Sequence, residues 1–163
     1  MAHANQLLDA DPSLAAEQAR EILSAVPNYP PAQLLLAVSQ FRQGDLSDAL
    51  ERLEKIVSAQ GKWADAHFEY ALVLADAGKG DAAISMLEKT VELKPKHTQA
   101  WRHLADHLIA VGQPARADDA YAKHIQNSTQ DPNLQRAAAA MVEEDVPTAE
   151  RILKEHLKKV PTD

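Results

Sequence analysis

Residues 101–121 read WRHLADHLIAVGQPARADDAY, and the chain carries two earlier copies of the pattern at a spacing of 34, HFEYALVLADAGKGDAAISML (67–87) and QLLLAVSQFRQGDLSDALERL (33–53). In that register Gly112 lies over Gly78 and Gly44, three of only five glycines in the chain. Each is followed five positions later by an alanine (Ala117, Ala83, Ala49), and four positions beyond that by a large residue (Tyr121, Leu87, Leu53). Eight positions before the glycines stand Leu104, Tyr70 and Leu36, each with an alanine after it. A fixed period of this length marks stacked helix pairs, because one pair cannot bury its apolar face alone.

Local patterning agrees. From Leu46 to Val57 the apolar residues Leu46, Ala49, Leu50, Leu53, Ile56 and Val57 lie on one helical stripe, and Ala149, Ile152, Leu153, Leu157 and Val160 form another. Asp11-Pro12 and Asp131-Pro132 place a capping acceptor before a proline whose missing N–H costs nothing in a first turn, and Pro114 and Pro147 can open helices likewise. The register glycines end helices by entering the left-handed region without a Cβ penalty. No strand pattern is visible. Helices are predicted near residues 3–9, 12–25, 31–43, 46–59, 64–77, 80–93, 98–111, 114–127, 132–143 and 147–159.

These residues resemble the tetratricopeptide repeat (TPR) pattern W-x2-L-G-x2-Y, then A-x3-F, then P. The copy with Trp101, Leu104, Ala105, Gly112, Ala117 and Tyr121 fits best. The preceding one keeps Tyr70, Ala71, Gly78, Ala83, Leu87 and Pro95, whereas the first has Gln33 for the tryptophan and Gly61 for the proline. Counting back gives Ala15, Ala19, Ile22 and Pro27, and counting forward across a two-residue deletion gives Ala149, Leu153, Leu157 and Pro161. The resemblance implies an all-α fold, a right-handed TPR solenoid of antiparallel helix pairs with about ten helices, as a single domain over 1–163. The partial repeat would be 1–29 and the repeats 30–63, 64–97, 98–129 and 130–163.

Composition narrows the function. With 24 acidic residues against 17 Lys and Arg, the chain is poorly suited to nucleic acid, which demands clustered cations. The absence of cysteine removes disulfides, thiolate metal sites and a cysteine nucleophile. No run approaches the roughly 20 apolar residues of a membrane span, and MAHANQLLDADPS lacks the charged and apolar regions of a signal peptide. A cytoplasmic protein that engages neither nucleic acid nor membrane is the expectation.

Chemistry-bearing residues are sparse. His103 and His107 share a helix face at a spacing that can bind zinc, but Asp106 points about 100° away from His107 and no H-E-x-x-H sequence occurs. Packing or solvent exposure is the plainer reading, and no metal or cofactor is expected. His124 and His156 occupy positions where the repeat usually has alanine, so they read either as tolerated half-buried rings or as groups titrating near neutral pH. AGKGDA lacks the features of a phosphate loop, and no G-x-S-x-G elbow is present. The chain is expected to have no enzymatic activity of its own.

In a TPR register the first helix of each repeat lines a concave surface. The resemblance assigns Leu34, Val38, Phe41 and Arg42 to that surface from one repeat, Asp65, Phe68, Leu72 and Asp76 from the next, and Gln99, Arg102, Asp106 and Ile109 from the third. Phe41, Phe68 and Leu72 would make an apolar floor with Arg42, Arg102, Asp65 and Asp106 as polar anchors, suited to a partner peptide or helix. The alternative is that these side chains only pack between adjacent helices. TPR co-chaperones grip a C-terminal carboxylate with Lys, Asn and Arg; the matching positions here are Leu34, Val38, Glu69, Gln99 and His103, so that partner class is not expected.

The stretch from Asp118 to Asp163 resembles the N-terminal repeats of bacterial proteins carrying a C-terminal sulfotransferase domain. That resemblance implies a fragment of a longer protein, serving as the substrate-recruiting or regulatory arm of an enzyme. No phosphosulfate-binding loop is present to carry catalytic residues over. A structural, self-assembling solenoid is the third reading. It draws on the ends, where Asn5 and Gln6 give little polar cover to Leu7 and Leu8, so end-to-end self-association is expected.

Overall fold

A computed structural model describes residues 7–129 and 131–159, the last three of these by their backbone alone. After a helical turn over residues 7–10 come α1 (Pro12–Ala25), α2 (Pro30–Arg42), α3 (Leu46–Ala59), α4 (Ala64–Asp76), α5 (Gly80–Leu93), α6 (Thr98–Ala110), α7 (Pro114–Ser128), α8 (Pro132–Val142) and α9 (Val146–Lys159). Among the described residues there is no strand. Most of the N-terminal helix expected at 3–9, with Asn5 and Gln6, lies outside the described residues, as does Pro161.

Asp11 accepts hydrogen bonds from the Ser13 and Leu14 amides at 3.0 Å, and Asp131 from those of Asn133 and Leu134 at 2.7 and 3.3 Å. Each aspartate thereby supplies a partner to first-turn N–H groups that the helix leaves open. One N-cap has no signal in the sequence, for His97 Nδ1 accepts the Ala100 amide at 3.2 Å and opens α6.

The register glycines behave as their spacing predicts, with φ of +90° at Gly44, +71° at Gly78 and +75° at Gly112. The residue after each glycine reaches back five positions, Asp45 to the Gln40 carbonyl, Lys79 to Leu74 and Gln113 to Leu108, at 2.8–2.9 Å. This is the Schellman arrangement. The fourth such turn closes the same way, Asp145 to Ala140 at 2.8 Å, but the left-handed residue is Glu144 at φ +58°. The residues before these turns, Gln43, Ala77, Val111 and Glu143, sit near ψ 0° as caps. The helices therefore end one residue earlier than the apolar pattern predicts.

The chain forms two compact units, Met1–Lys89 and Thr90–Asp163. In the first, α1 packs on α2, α2 on α3, α3 on α4, and α2 also touches α4. Ala37, Ala49, Leu53, Ile56, Ala66 and Val73 form one buried cluster, flanked by Phe41, Trp63 and Tyr70. Leu8, Ala15 and Val38 form a second cluster, and Ala16, Ala19 and Leu36 a third. In the second unit α6 packs on α7, α7 on α8 and α8 on α9, around Leu104, Leu108, Ala117, Ala120, Ala137 and Ile152. The register alanines Ala49, Ala83, Ala117 and Ala149 are all buried. A larger side chain there would force close-packed helices apart.

Candidate functional site

The residues expected to line a groove lie on three helices, and each unit shows its own face. On α2, Val38 is buried against Leu8 and Ala15, and half-buried Leu34 and Phe41 pack against the core clusters. Arg42, at the end of that helix, is exposed and pairs with Asp9 at 2.9 Å. On α4, Phe68 is only 7% exposed and Leu72 is half-buried, while Asp65 and Asp76 are exposed. The first unit thus draws most of the apolar members of the set inward and leaves the charged ones outside.

Asp65, Leu72 and Asp76 share one face of α4 with a residue singled out in the sequence only for failing to match a carboxylate grip, Glu69. Glu69 is half-buried, and burial pushes its carboxyl up to about 7. Arg42 opposes that rise and Asp65 adds to it. In the sequence Glu69 looks like any solvated glutamate. Its environment is set by packing between α2 and α4, which spacing along one helix does not reveal.

On α6 the second unit is different. Gln99, Arg102, Asp106 and Ile109 follow at steps of three, four and three and are all exposed, Ile109 by half. The opposite side of the helix carries buried Ala100, Leu104, Ala105 and Leu108. Tyr121 of α7 donates its hydroxyl to the Asp106 carboxylate. That bond, with burial and the adjacent negative charge, raises the Tyr121 phenol. The α6 face thus offers a guanidinium, an oriented carboxylate, an amide and an exposed branched aliphatic side chain.

The histidines take structural places. His67 is buried and donates from Nδ1 to the Trp63 carbonyl at 3.0 Å. His124 donates from Nδ1 to the Thr98 carbonyl at 2.9 Å, which ties α7 to the start of α6. His103 is held below its ordinary value by burial first and by Arg102 second. His156 places Nδ1 3.7 Å from the Asp131 carboxylate, an ion pair only when the ring is protonated. Among the described residues, no three His, Asp or Glu side chains converge to hold a metal ion. Among them, too, no helix is long and apolar enough to cross a membrane.

The sequence pattern of the tetratricopeptide repeat matches residues 6–72 and 74–141, well over half of the chain. The chain belongs to the tetratricopeptide repeat family. Solved TPR structures share its fold. A crystal structure of MamA is 24% identical, over 93% of this chain and 90% of that one, with a TM-score of 0.66. A thermophilic TPR protein of Thermus thermophilus, TTC0263, is 21% identical over 84% of this chain and 76% of that one, with a TM-score of 0.68. The Yersinia enterocolitica type III secretion chaperone SycD, solved with a peptide of the translocator YopD, is 17% identical over 76% of this chain and 92% of that one, with a TM-score of 0.58. Comparison with curated proteins gave no match.

Proposed function

We propose that this TPR chain is a protein-interaction scaffold whose first-helix faces take an extended or helical segment of a partner protein. The observation that carries this reading is the α6 stripe of Gln99, Arg102, Asp106 and Ile109, exposed along its length on a helix whose other side is buried. An exposed aliphatic side chain in line with an Arg and an oriented carboxylate offers both the apolar and the polar contacts that interfaces combine. Asp65, Leu72 and Asp76 on α4 extend the same role to the first unit, where the exposed groups are acidic. SycD, which shares the fold, was solved with a peptide of YopD. That supports a peptide as the kind of ligand this fold can hold. The function requires no chemistry from the chain itself.

The test is Arg102→Ala combined with Ile109→Ala. Both side chains are exposed, so helical content and melting temperature should stay close to wild type. Partner affinity should fall tenfold or more, as for loss of an arginine and an aliphatic contact at an interface centre. Equal affinity in the double variant overturns the assignment of this face.

A further inference from the structure

We propose that the second unit carries another binding site, a cleft beside Trp101, which takes an acidic peptide segment. The cleft is open, about 420 Å³, and is walled by the α5–α6 loop, α6, α7 and α8. Its floor is fixed, because Trp101 Nε1 and Asn127 Nδ2 both donate to the Pro95 carbonyl, at 2.8 and 3.0 Å. With its N–H engaged, the indole has only its apolar ring surface to offer a ligand. Lys96, Lys123, Gln126 and Gln135 also line it, and the Gln135 amide donates to the Thr129 carbonyl at 2.7 Å. Among the described residues the side chains of Lys96, Lys123 and Gln126 make no hydrogen bond or ion pair. Asp119, one helical turn before Lys123, leaves it unpaired as well.

Among the described residues, two ammonium groups without a partner stand beside one aromatic face, in a chain of net charge -7. Carboxylates answer the lysines, an aliphatic or planar side chain answers the indole, and a peptide bond answers the Gln126 amide, which both donates and accepts. A phosphate ligand suits the cleft less well. Phosphate sites draw on open backbone N–H groups at helix starts, but His97 caps α6 and Asp131 caps α8.

A cleft at the matching register in the first unit gives an internal control. It measures about 370 Å³ and has Gln33 and Lys55 where the second unit has Trp101 and Lys123. There Arg52 donates to Gln40 at 3.0 Å and Lys55 pairs with Glu51. In that cleft the cations are engaged and the aromatic is missing, so it offers an acidic ligand neither of the features found beside Trp101.

The experiment uses the full chain with Trp63→Phe, which leaves Trp101 as the sole tryptophan. A capped Glu-Leu-Glu-Leu-Glu peptide, its glutamine counterpart and AMP are titrated while Trp101 emission is read. The acidic peptide should give a saturable change that weakens with salt, and the glutamine peptide should give none. Lys96→Ala or Lys123→Ala should each weaken binding roughly threefold, and the pair about tenfold, the range of exposed ion pairs. Lys→Arg at both positions should retain binding. No saturable change up to millimolar peptide overturns the proposal, as does an equal response to the glutamine peptide or tighter binding of AMP. Loss of the response in Arg102→Ala with Ile109→Ala, but not in the lysine variants, would place the peptide on α6. That outcome overturns the cleft and leaves the scaffold reading standing.

Discussion

The faces of α4 and α6 come from the same register of neighbouring repeats, yet their side chains are buried to different extents. Phe68 on α4 is 7% exposed, whereas Arg102, 34 residues later, is solvent-exposed. Leu72 is half-buried where its successor Asp106 is exposed and held by Tyr121. A repeat fixes where a side chain is rooted on its helix. Whether that side chain becomes core or contact surface depends on what packs beside the helix, and each repeat settles this separately. On α4 Phe68 joins the core while Asp65 and Asp76 stay exposed, and on α6 all four positions are exposed.

Phe68→Ala should destabilise the protein by about 3–5 kcal/mol, the cost of emptying a buried aromatic site. Ile109→Ala should change stability by less than about 1 kcal/mol, as for an exposed position. Chemical denaturation of the two variants measures both, and similar losses would erase the distinction between the faces.

A smaller effect, tied to pH, is expected at Glu69. Its carboxyl is raised from 4.5 to about 7 in the folded chain, chiefly by burial, so the native state binds a proton that the unfolded state releases. Stability from this group is therefore full at acidic pH, falls as pH rises through the window from about 4.5 to 7, and stays reduced above it. Glu69→Gln should remove that loss and be more stable than wild type at pH 8, by on the order of 1–2 kcal/mol. At pH 4 the two should nearly coincide. Denaturant midpoints across pH 4–8 report the difference, and parallel profiles for the two proteins would show that Glu69 is solvated like an ordinary surface glutamate.

The smallest effect concerns the turns. Gly44, Gly78 and Gly112 adopt positive φ as only glycine does freely, while Glu144 adopts φ +58° with a Cβ in place. Glu144→Gly should stabilise the second unit by roughly 0.5–1 kcal/mol, because the strain removed exceeds the added freedom of the unfolded chain. A thermal melt reads this, and a destabilised variant would mean that the glutamate side chain contributes more than the turn strain costs.

The glycine register was enough to read the repeat, its helices and its buried alanines, because each follows from short-range geometry. Glu144 was invisible, since no glycine marks the turn after the two-residue deletion. His97 as a cap carried no sequence signal, since an imidazole is not among the usual capping side chains. The candidate site was legible as a list of positions, but not as a division into buried and open members. Val38 is buried against Leu8, 30 residues away, and Arg42 pairs with Asp9, 33 away. Such partners belong to packing across helices, which the period of a single helix does not encode. The lysines beside Trp101 were missed for the same reason, since they come from a loop and a different helix.

Amide hydrogen exchange of the chain, free and bound to a partner segment, reads out whether α6 is the contact surface. Binding should slow exchange in α6, Thr98–Ala110, more than in the second helices α7 and α9, and Arg102→Ala with Ile109→Ala should remove the effect. Protection confined to α7 and α9, with α6 unchanged, would contradict the assignment of the α6 face as the contact surface.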